Sequence, residues 1–333
     1  MTKKILITGA AGFIGMHLLD HLSGNSEYEV IGIDNFNGAN GTKLPLMRSQ
    51  YLEKKRNLRI VNIDVRDNIS KIPNHLLENI NVIVHLAAWP GVKNGEVHPH
   101  IYYQHNVSAF GNILELVERV SPDKFFFASS SSVYGGKNEK GGITESLADG
   151  HNLKSFYSST KWANEILAQQ FERLTGIPTI ALRFFTVFGT FGRPDMAYWK
   201  FAKRLVHGDP IEFWGKNGGS RNFTHVTNAV QIIEKLIESN LKGYQPLNIA
   251  AGEPISTKEM CDSLAKSLRI NQYLQTEIDR PNFDVENTWA NTEKLQSVIG
   301  FIQPTKLDDA MDEFVAWYIA FIQQMQVEGE LSW

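Results

Sequence analysis

Cysteine is nearly absent from this chain of 333 residues, since Cys261 is the only one. A single cysteine excludes an internal disulfide and is typical of a protein from a reducing compartment. The N-terminal segment contains no apolar run of signal-peptide length, so we expect a cytoplasmic location. The most apolar helical segment, 314–325, is too short to span a bilayer and predicts a C-terminal packing helix instead.

Charge of one sign is also scarce. The formal net charge is −3, and no run of Lys or Arg occurs. A nucleic acid or an anionic membrane therefore has no basic surface to bind, and we expect a small-molecule partner. His98, His100 and His105 lie close together but lack regular ligand spacing and a neighbouring cysteine, so we predict no metal site.

Short apolar segments alternate with segments of helical periodicity through the first half of the chain. The segments read as strands are 4–8, 28–33, 58–63, 82–86, 125–128 and 179–182, and those read as helices include 13–22, 101–120 and 156–174. Alternating strands and helices predict an α/β fold with a doubly wound parallel sheet.

A glycine-rich turn separates the first predicted strand from the first predicted helix. It reads Thr8-Gly-Ala-Ala-Gly-Phe-Ile-Gly15 and so places glycines at 9, 12 and 15. Such glycines allow a tight turn, close approach of the backbone to a pyrophosphate and close packing of the helix, whose N-terminus supplies N–H groups. Asp34 ends the second predicted strand, where a carboxylate accepts ribose hydroxyls and repels a 2′-phosphate. The pattern predicts NAD rather than NADP, bound by the turn residues Gly9, Gly12, Phe13, Ile14 and Gly15 together with Asp34.

The alternation ends after Arg183, where glycine and proline become frequent. We predict a Rossmann-like NAD-binding domain made of 1–183, to which about 221–250 returns. A smaller α/β substrate-binding domain would comprise 184–220 and 251–333. The glycine-rich segment 215–220 lacks the ending of a phosphate loop and predicts a hairpin or a surface turn.

Tyr157-Ser-Ser-Thr-Lys161 places a phenol and an ammonium on one face of a predicted helix. A fixed positive charge within a few Å favours the phenolate, so the pair is a candidate proton shuttle. The same spacing also occurs in helices where the tyrosine tip and the lysine are simply solvated.

Four motifs together resemble the extended short-chain dehydrogenase/reductase family of nucleotide-sugar epimerases and dehydratases. They are the glycine turn, His85-Leu-Ala-Ala88, Ser129-Ser-Ser-Ser-Val-Tyr-Gly135 and the Tyr157/Lys161 pair. In the glycine turn, the first spacing is three residues rather than the two of the common dinucleotide fingerprint. The resemblance covers essentially the whole chain and implies a homodimer formed through helices 101–120 and 156–174.

The resemblance also implies roles for individual residues. Asp64 and Val65 would border the adenine, Leu86, Ala87 and Ala88 would line the cofactor groove, and Asn106 would support it. Lys161 would bind the nicotinamide ribose as well as assist Tyr157. Ser130 would be the catalytic serine, with Ser131 and Ser132 as substrate contacts. Related dehydratases carry an Asp-Glu pair at positions 131 and 132, so the serines argue against a dehydratase.

The segment from Arg183 to Ala197 resembles that of UDP-glucuronate 4-epimerases, in which a Thr and an Arg hold the sugar carboxylate. The resemblance gives these roles to Thr186 and Arg193, and it places Arg221 and Arg280 at the UDP diphosphate. Departures from the family pattern lie near the expected sugar pocket; they are Trp89-Pro90, Lys93-Asn94, Thr190-Phe191, Asn222 and the segment 225–228.

We therefore expect NAD-dependent 4-epimerisation of a UDP-sugar, with UDP-glucuronate as the first candidate substrate. A UDP-glucose or UDP-N-acetylglucosamine 4-epimerase is the main alternative. A UDP-glucuronate decarboxylase and a non-catalytic NAD-sensing protein are further alternatives. The sensor would be expected to have lost Ser130, Tyr157 or Lys161, and all three are present.

Overall fold

The computed structural model describes residues 2–56, 58–67, 72–91, 98–137, 139–282 and 284–327, with the side chains of 325–327 left out. Its strands are β1 (Lys3–Thr8), β2 (Tyr28–Asp34), β3 (Val61–Asn62), β4 (Val82–His85), β5 (Lys124–Ser130), β6 (Thr179–Phe184), β7 (Thr186–Phe188), β8 (Ile211–Trp214), β9 (Ser220–Arg221), β10 (Phe223–His225), β11 (Tyr244–Ile249), β12 (Ile255–Ser256), β13 (Gln275–Ile278) and β14 (Asn287–Thr288). Its α-helices are α1 (Phe13–Ser23), α2 (Lys43–Arg56), α3 (Asn74–Leu77), α4 (Pro99–Tyr102), α5 (Ala109–Val120), α6 (Phe156–Thr175), α7 (Ala197–His207), α8 (Val226–Glu238), α9 (Thr257–Ser267), α10 (Glu293–Ile299) and α11 (Leu307–Val327).

Seven parallel strands form the main sheet in the order β11-β6-β5-β4-β1-β2-β3. The chain starts at β1, runs outward to β3 and then crosses to β4 on the other side of β1. This reversal leaves a crevice at the carboxyl ends of β1 and β4, where α/β proteins bind their ligands. The predicted doubly wound sheet is confirmed.

Helices cover both faces of this sheet. Ile5 and Ile7 of β1 belong to the core beneath α1 and α8, whereas Leu6 belongs to the core beneath α5 and α6. Successive residues of a strand point to opposite faces, so continuous apolar strands imply cover on both sides. The sheet is therefore a buried platform, and its carboxyl edge is free to form a site.

A second apolar core lies between α7, α9 and α11, where Trp199, Phe314 and Tyr318 pack together. Small sheets join this region, with β8 pairing β13 and β9 lying between β12 and β14. β11 joins the main sheet and α8 packs on α1. The domain boundaries drawn from the sequence stay a prediction.

Three sequence expectations need correction. The single helix 101–120 consists of α4, a π-helix at Tyr103–Ser108 and α5. The strand 58–63 shortens to β3. The segment 215–220 contains a 3-10 turn at Lys216–Gly218, and β8 pairs in parallel with β13, so the hairpin alternative is wrong and the turn is right. Within the described residues, no helix has the length and apolar character needed to cross a membrane.

Candidate active site

An open cleft lies at the carboxyl edge of the sheet. The predicted cofactor residues in its lining are Gly9, Gly12, Phe13, Asp34, Asp64, Val65, Leu86, Ala87 and Ala88. Ile14, Gly15, Asn106, Tyr157 and Lys161 are not part of this lining. The cleft has the position and the residues that a dinucleotide requires.

Gly9 and Gly15 show why the turn needs glycine. Gly9 has a φ of +71°, and a Cβ there would lie 2.5 Å from the backbone nitrogen of Ala87. A Cβ on Gly15 would lie 2.1 Å from the carbonyl oxygen of Gly9. The first glycine lets the turn approach β4, and the second lets α1 pack onto the turn, which leaves the N-terminus of α1 facing the cleft.

Asp34 fixes the turn from the end of β2. Its carboxylate accepts a hydrogen bond from the Ala11 N–H at 3.0 Å and another from the Phe36 N–H at 2.8 Å. Burial raises the pKa of Asp34, while these N–H groups act in the opposite direction. A carboxylate with two oxygens has lone pairs left to accept ribose hydroxyls.

Asp64 follows β3, next to the end of β2, and also lines the cleft. Although burial opposes its ionisation, hydrogen bonds from Arg66 and Asn35 hold its pKa well below the ordinary value. Asn35 donates to its Oδ2 at 2.8 Å. The predicted adenine-side residue is thus an ionised carboxylate in a polar network.

Asn106 acts through the backbone of Trp89. Its Oδ1 accepts from the Trp89 N–H at 2.7 Å, and its Nδ2 donates to the Trp89 carbonyl at 3.1 Å. The same Nδ2 donates to the Thr160 hydroxyl at 3.1 Å, which connects the π-helix to α6. Trp89, which sequence reasoning noted only as a departure, lines the cleft and packs against His105 with the two rings tilted by 50°.

Tyr157 and Lys161 occupy the first turns of α6. Ser155 caps this helix in a capping box with Ser158, so the helix begins at a fixed residue. The Lys161 ammonium lies 5.7 Å from the centre of the Tyr157 ring and donates to the Ala128 carbonyl at 2.8 Å. Burial lowers the pKa of Lys161 to about 8.

The pKa of Tyr157 also depends on groups from other segments of the chain. Packing around the phenol raises its pKa, and the groups that lower it are the Arg193 guanidinium and a hydrogen bond with Ser130. The Lys161 ammonium, 5.7 Å from the centre of the ring, donates its hydrogen bond to a carbonyl of β5. Additional positive charge beside the phenol would lower its pKa towards neutral pH.

Ser130 ends β5 and begins a 3-10 helix at Ser131–Tyr134. Its Oγ accepts from the Ser132 N–H at 3.1 Å. The Ser132 hydroxyl is buried and has no hydrogen-bond partner in the described part of the chain. The predicted serines thus lie in one turn beside Tyr157.

A buried ion pair holds α6 against the sheet. Arg183 donates to both Glu165 oxygens, at 2.9 Å and 2.7 Å, and both side chains are 3% exposed. Ser129 donates to the same carboxylate. Glu165 was missed by sequence reasoning, because a glutamate on a helix gives no signal that it is buried.

Arg193 lines the cleft beside Tyr157, but its guanidinium already has a carboxylate partner. Its Nε lies 3.0 Å from Oδ1 of Asp195, and its second nitrogen donates to Oδ2. Asn40 donates to the same carboxylate at 3.1 Å. Thr186, its predicted companion, begins β7, which pairs with β10.

Arg221 and Arg280 share one carboxylate in the second lobe. Arg221 donates to both oxygens of Asp284 at 3.0 Å, and Arg280 donates to Oδ2. Their side chains are only 14% and 17% exposed. The convergence of two guanidinium groups suits an anionic ligand.

The departures have structural explanations where the structure describes them. Asn222 is fully buried, donates to the Gly252 carbonyl at 2.6 Å and accepts from the Ala290 N–H at 2.7 Å. Thr190 shares a hydrogen bond with His17 at 3.3 Å. Lys93 and Asn94 lie outside the described residues.

Histidines do not gather into a metal site in the part of the chain that the structure describes. No group of three or more His, Cys, Asp or Glu side chains is arranged there to hold a metal ion. His105 hydrogen bonds to Arg66 at 3.0 Å and belongs to the polar network near Asp64.

Residues 5–250 match the family model described as the NAD dependent epimerase/dehydratase family. UDP-glucuronate 4-epimerase 1 of Arabidopsis thaliana is 31% identical over 337 residues, which cover 96% of this chain and 77% of that protein. The structure of UDP-glucuronic acid 4-epimerase from Bacillus cereus in complex with UDP-glucuronic acid and NAD is 30% identical. It superposes with a TM-score of 0.87 and covers 96% of this chain and 99% of that chain. MoeE5 in complex with UDP-glucose and NAD is 31% identical with a TM-score of 0.79, covering 96% and 99%.

Proposed function

Since the chain belongs to the NAD dependent epimerase/dehydratase family, we propose that it is an NAD-dependent UDP-sugar 4-epimerase that interconverts UDP-glucuronate and UDP-galacturonate. One observation carries the choice of sugar: the Arg193 guanidinium lines the cofactor cleft and acts on the Tyr157 phenol. A cation with a planar fork beside the catalytic base suits a sugar that carries a carboxylate.

NAD fits the residues of the cleft. The glycine turn presents the N-terminus of α1 to an anion, and the Asp34 carboxylate in the same cleft provides acceptors for ribose hydroxyls. Bound NAD supplies a reversible acceptor for the hydrogen at the sugar's C4. The other roles proposed for the predicted site residues concern binding, orientation and proton transfer.

Tyr157 would act as a general base and remove the proton from the sugar's 4-hydroxyl. It would return the proton after the transient 4-keto sugar has rotated to present its opposite face. Ser130 would orient that hydroxyl through its contact with the phenol. Lys161, held by the Ala128 carbonyl, would keep a cation near the ribose and the phenol. Arg221 and Arg280 would bind the diphosphate, and Ser131, Ser132 and Thr186 would contact the sugar.

A UDP-glucose or UDP-N-acetylglucosamine 4-epimerase is the second candidate. The Arg193–Asp195 ion pair favours it, because a guanidinium with an internal carboxylate partner offers less positive charge to a substrate carboxylate. A neutral sugar could be bound without breaking that pair. The two candidates share their chemistry and differ only in what Arg193 does.

We also propose a homodimer in the cytoplasm. Tyr103 of the π-helix and Phe156, Ile166 and Leu167 of α6 are exposed apolar side chains, 41% to 59% accessible. A second copy of α5 and α6 would cover them. Light scattering on the purified protein tests this, and an Ile166→Glu variant should be monomeric.

The single cysteine fits a reducing compartment, and burial raises the pKa of its thiol to about 12.

The reaction is tested by incubating the purified protein with NAD and, separately, UDP-glucuronate, UDP-galactose or UDP-N-acetylglucosamine, and then resolving the products. Formation of UDP-galacturonate is the expected result. Turnover of neutral sugars alone would transfer the proposal to the second candidate, and no interconversion of any sugar would contradict an epimerase.

A further inference from the structure

Arg48 is a buried cation that the reaction described above does not use. It lies on α2 with 5% of its surface exposed, between Leu44 and Leu52 on the buried side of the helix. Its NH1 donates to the Ala11 carbonyl at 3.0 Å. Its Nε and NH2 donate to the Phe191 carbonyl at 3.1 Å and 2.7 Å, and NH2 also reaches the Gly192 carbonyl at 3.3 Å.

These carbonyls belong to two different parts of the site. Ala11 is in the glycine turn, and its N–H is held by Asp34. Phe191 and Gly192 directly precede Arg193. One guanidinium therefore connects the cofactor turn to the loop that presents the proposed carboxylate ligand, and both Arg48 and Arg193 line the cleft.

The conformation at Phe191 shows that this loop needs such support. Its φ is +53°, in the left-handed region that bulky residues seldom adopt. The ring is packed between Tyr51 and Trp317, each with its centre 5.0 Å away. Aromatic packing fixes the side chain, while the two hydrogen bonds from Arg48 fix the carbonyl.

Burial lowers the pKa of Arg48 to about 10. An apolar residue at position 48 would avoid the cost of burying a charge. It would also leave the Ala11, Phe191 and Gly192 carbonyls without this donor. Lysine would place a single ammonium at this point, whereas the planar guanidinium has donors directed to both loops. The residue type is thus explained by the two loops it connects.

We propose that Arg48 is a positioning residue that sets Arg193 against the cofactor turn and so determines how well the site discriminates a uronate from a neutral sugar. The inference rests on the proposed role of Arg193 as the ligand of the sugar carboxylate. Arg48 itself touches neither the carboxylate nor the reacting atoms; it acts through the backbone of residues 191 and 192.

The test measures binding by calorimetry in a Tyr157→Phe background, which prevents turnover. The NAD-loaded protein is titrated with UDP-glucuronate and, separately, with UDP-glucose. Arg48→Met should weaken UDP-glucuronate binding by about tenfold or more, because a charge-assisted contact to the sugar carboxylate is lost. UDP-glucose binding should stay within about threefold of the parent value. Arg48→Lys should bind UDP-glucuronate with an affinity between those of the parent and Arg48→Met. This variant keeps the test available if Arg48→Met does not fold.

Two further comparisons separate positioning from general damage. In an Arg193→Met background, Arg48→Met should cause no additional loss of uronate preference, because the two residues act on one contact. Arg183→Met is the matched control, since Arg183 is 2% exposed but is bonded to Glu165. It should lower the melting temperature without changing the ratio of the two affinities.

Equal losses for both ligands, or a loss of NAD affinity with an unchanged ratio, would overturn the inference. If Arg193→Met lowers the ratio and Arg48→Met does not, the positioning role alone is wrong. If Arg193→Met leaves the ratio unchanged, the carboxylate assignment in the proposed function is wrong, and the inference falls with it.

Discussion

Arg193, which lines the cleft proposed for the cofactor, forms a two-point ion pair with Asp195. The Asp195 carboxylate accepts hydrogen bonds from Nε and one terminal nitrogen of the guanidinium. The Arg193 side chain remains 24% exposed and the Asp195 side chain 40% exposed. A substrate carboxylate must either displace Asp195 or approach the remaining edge of the guanidinium. The ion pair therefore affects the choice between a uronate and a neutral sugar as substrate.

Replacing Asp195 by Asn should increase the preference for UDP-glucuronate over UDP-glucose, because Arg193 would no longer share its charge with an internal carboxylate. The pair is partly exposed, so the ratio of the two kcat/KM values should rise only several-fold. Steady-state kinetics on both substrates measures it. A fall in the ratio would mean that Asp195 orients Arg193 rather than competing for it.

Replacing Arg193 by Met should move the acid limb of the kcat–pH profile to higher pH. Arg193 lowers the pKa of Tyr157, so its removal raises that pKa and a higher pH is needed to form the phenolate. The profile should be measured with UDP-glucose, since UDP-glucuronate binding will also be impaired. Arg204→Met, an exposed arginine of α7 paired with Glu212, removes the same charge elsewhere and should leave the limb in place.

Replacing Tyr157 by Phe should reduce kcat by at least about 10² to 10⁴, the usual contribution of a general base, while NAD remains bound. Bound NAD is measured by chromatography after denaturation of the protein. Tyr102→Phe is the control, since the Tyr102 phenol donates to the Gly91 carbonyl and its ring centre lies 6.2 Å from that of Tyr157. Comparable losses in both variants would show that the loss of a buried hydroxyl, rather than of proton transfer, explains the effect.

Replacing Lys161 by Met should abolish turnover. It should also increase the free energy of unfolding of the cofactor-free protein. The pKa of Lys161 falls to about 8 on folding, so between pH 8 and its ordinary value near 10.5 the unfolded chain binds more protons and stability rises with pH. Below pH 8 the charged lysine costs on the order of 3 kcal/mol, from about 1.4 kcal/mol per pKa unit. Urea unfolding at pH 7 and pH 10 measures this.

The difference in unfolding free energy between Lys161→Met and the parent should shrink at the higher pH, because the parent lysine is then neutral. A difference that stays constant between the two pH values would contradict the buried-charge explanation. Lys266→Met, a substitution of a lysine 73% exposed on the surface, should leave the free energy nearly unchanged at both.

The sequence predicted the elements whose signal is local. The parallel sheet follows from short apolar segments alternating with helical ones, and β2, α1 and α6 end within a residue or so of their expected limits. The glycine turn was predictable because glycine is the residue that fits a φ of +71° so close to Ala87. The Tyr157/Lys161 pair was predictable because residues four apart on a helix share a face.

Charge partners were decided by the tertiary structure. Nothing near Arg48 in sequence shows that it binds carbonyls of residues 11, 191 and 192, although a lone arginine between Leu44 and Leu52 at helical spacing is a signal of a buried cation. Likewise, Arg221 and Arg280 converge on Asp284 only after β9 and the segment following β13 have come together.

The same distinction applies to the ionisation of Tyr157. The sequence placed Lys161 beside the phenol, but the pKa of a buried group depends on every charge and dipole around it, and these come from distant segments. The fold directs Lys161 to a carbonyl of β5 and brings Arg193 to Tyr157 from a loop after β7. The sequence by itself determined the sheet, the glycine turn and the Tyr157/Lys161 pair, because these depend on neighbours along the chain. Only the tertiary structure decided which cation acts on the phenol and which carboxylate holds that cation, because ionisation depends on neighbours in space.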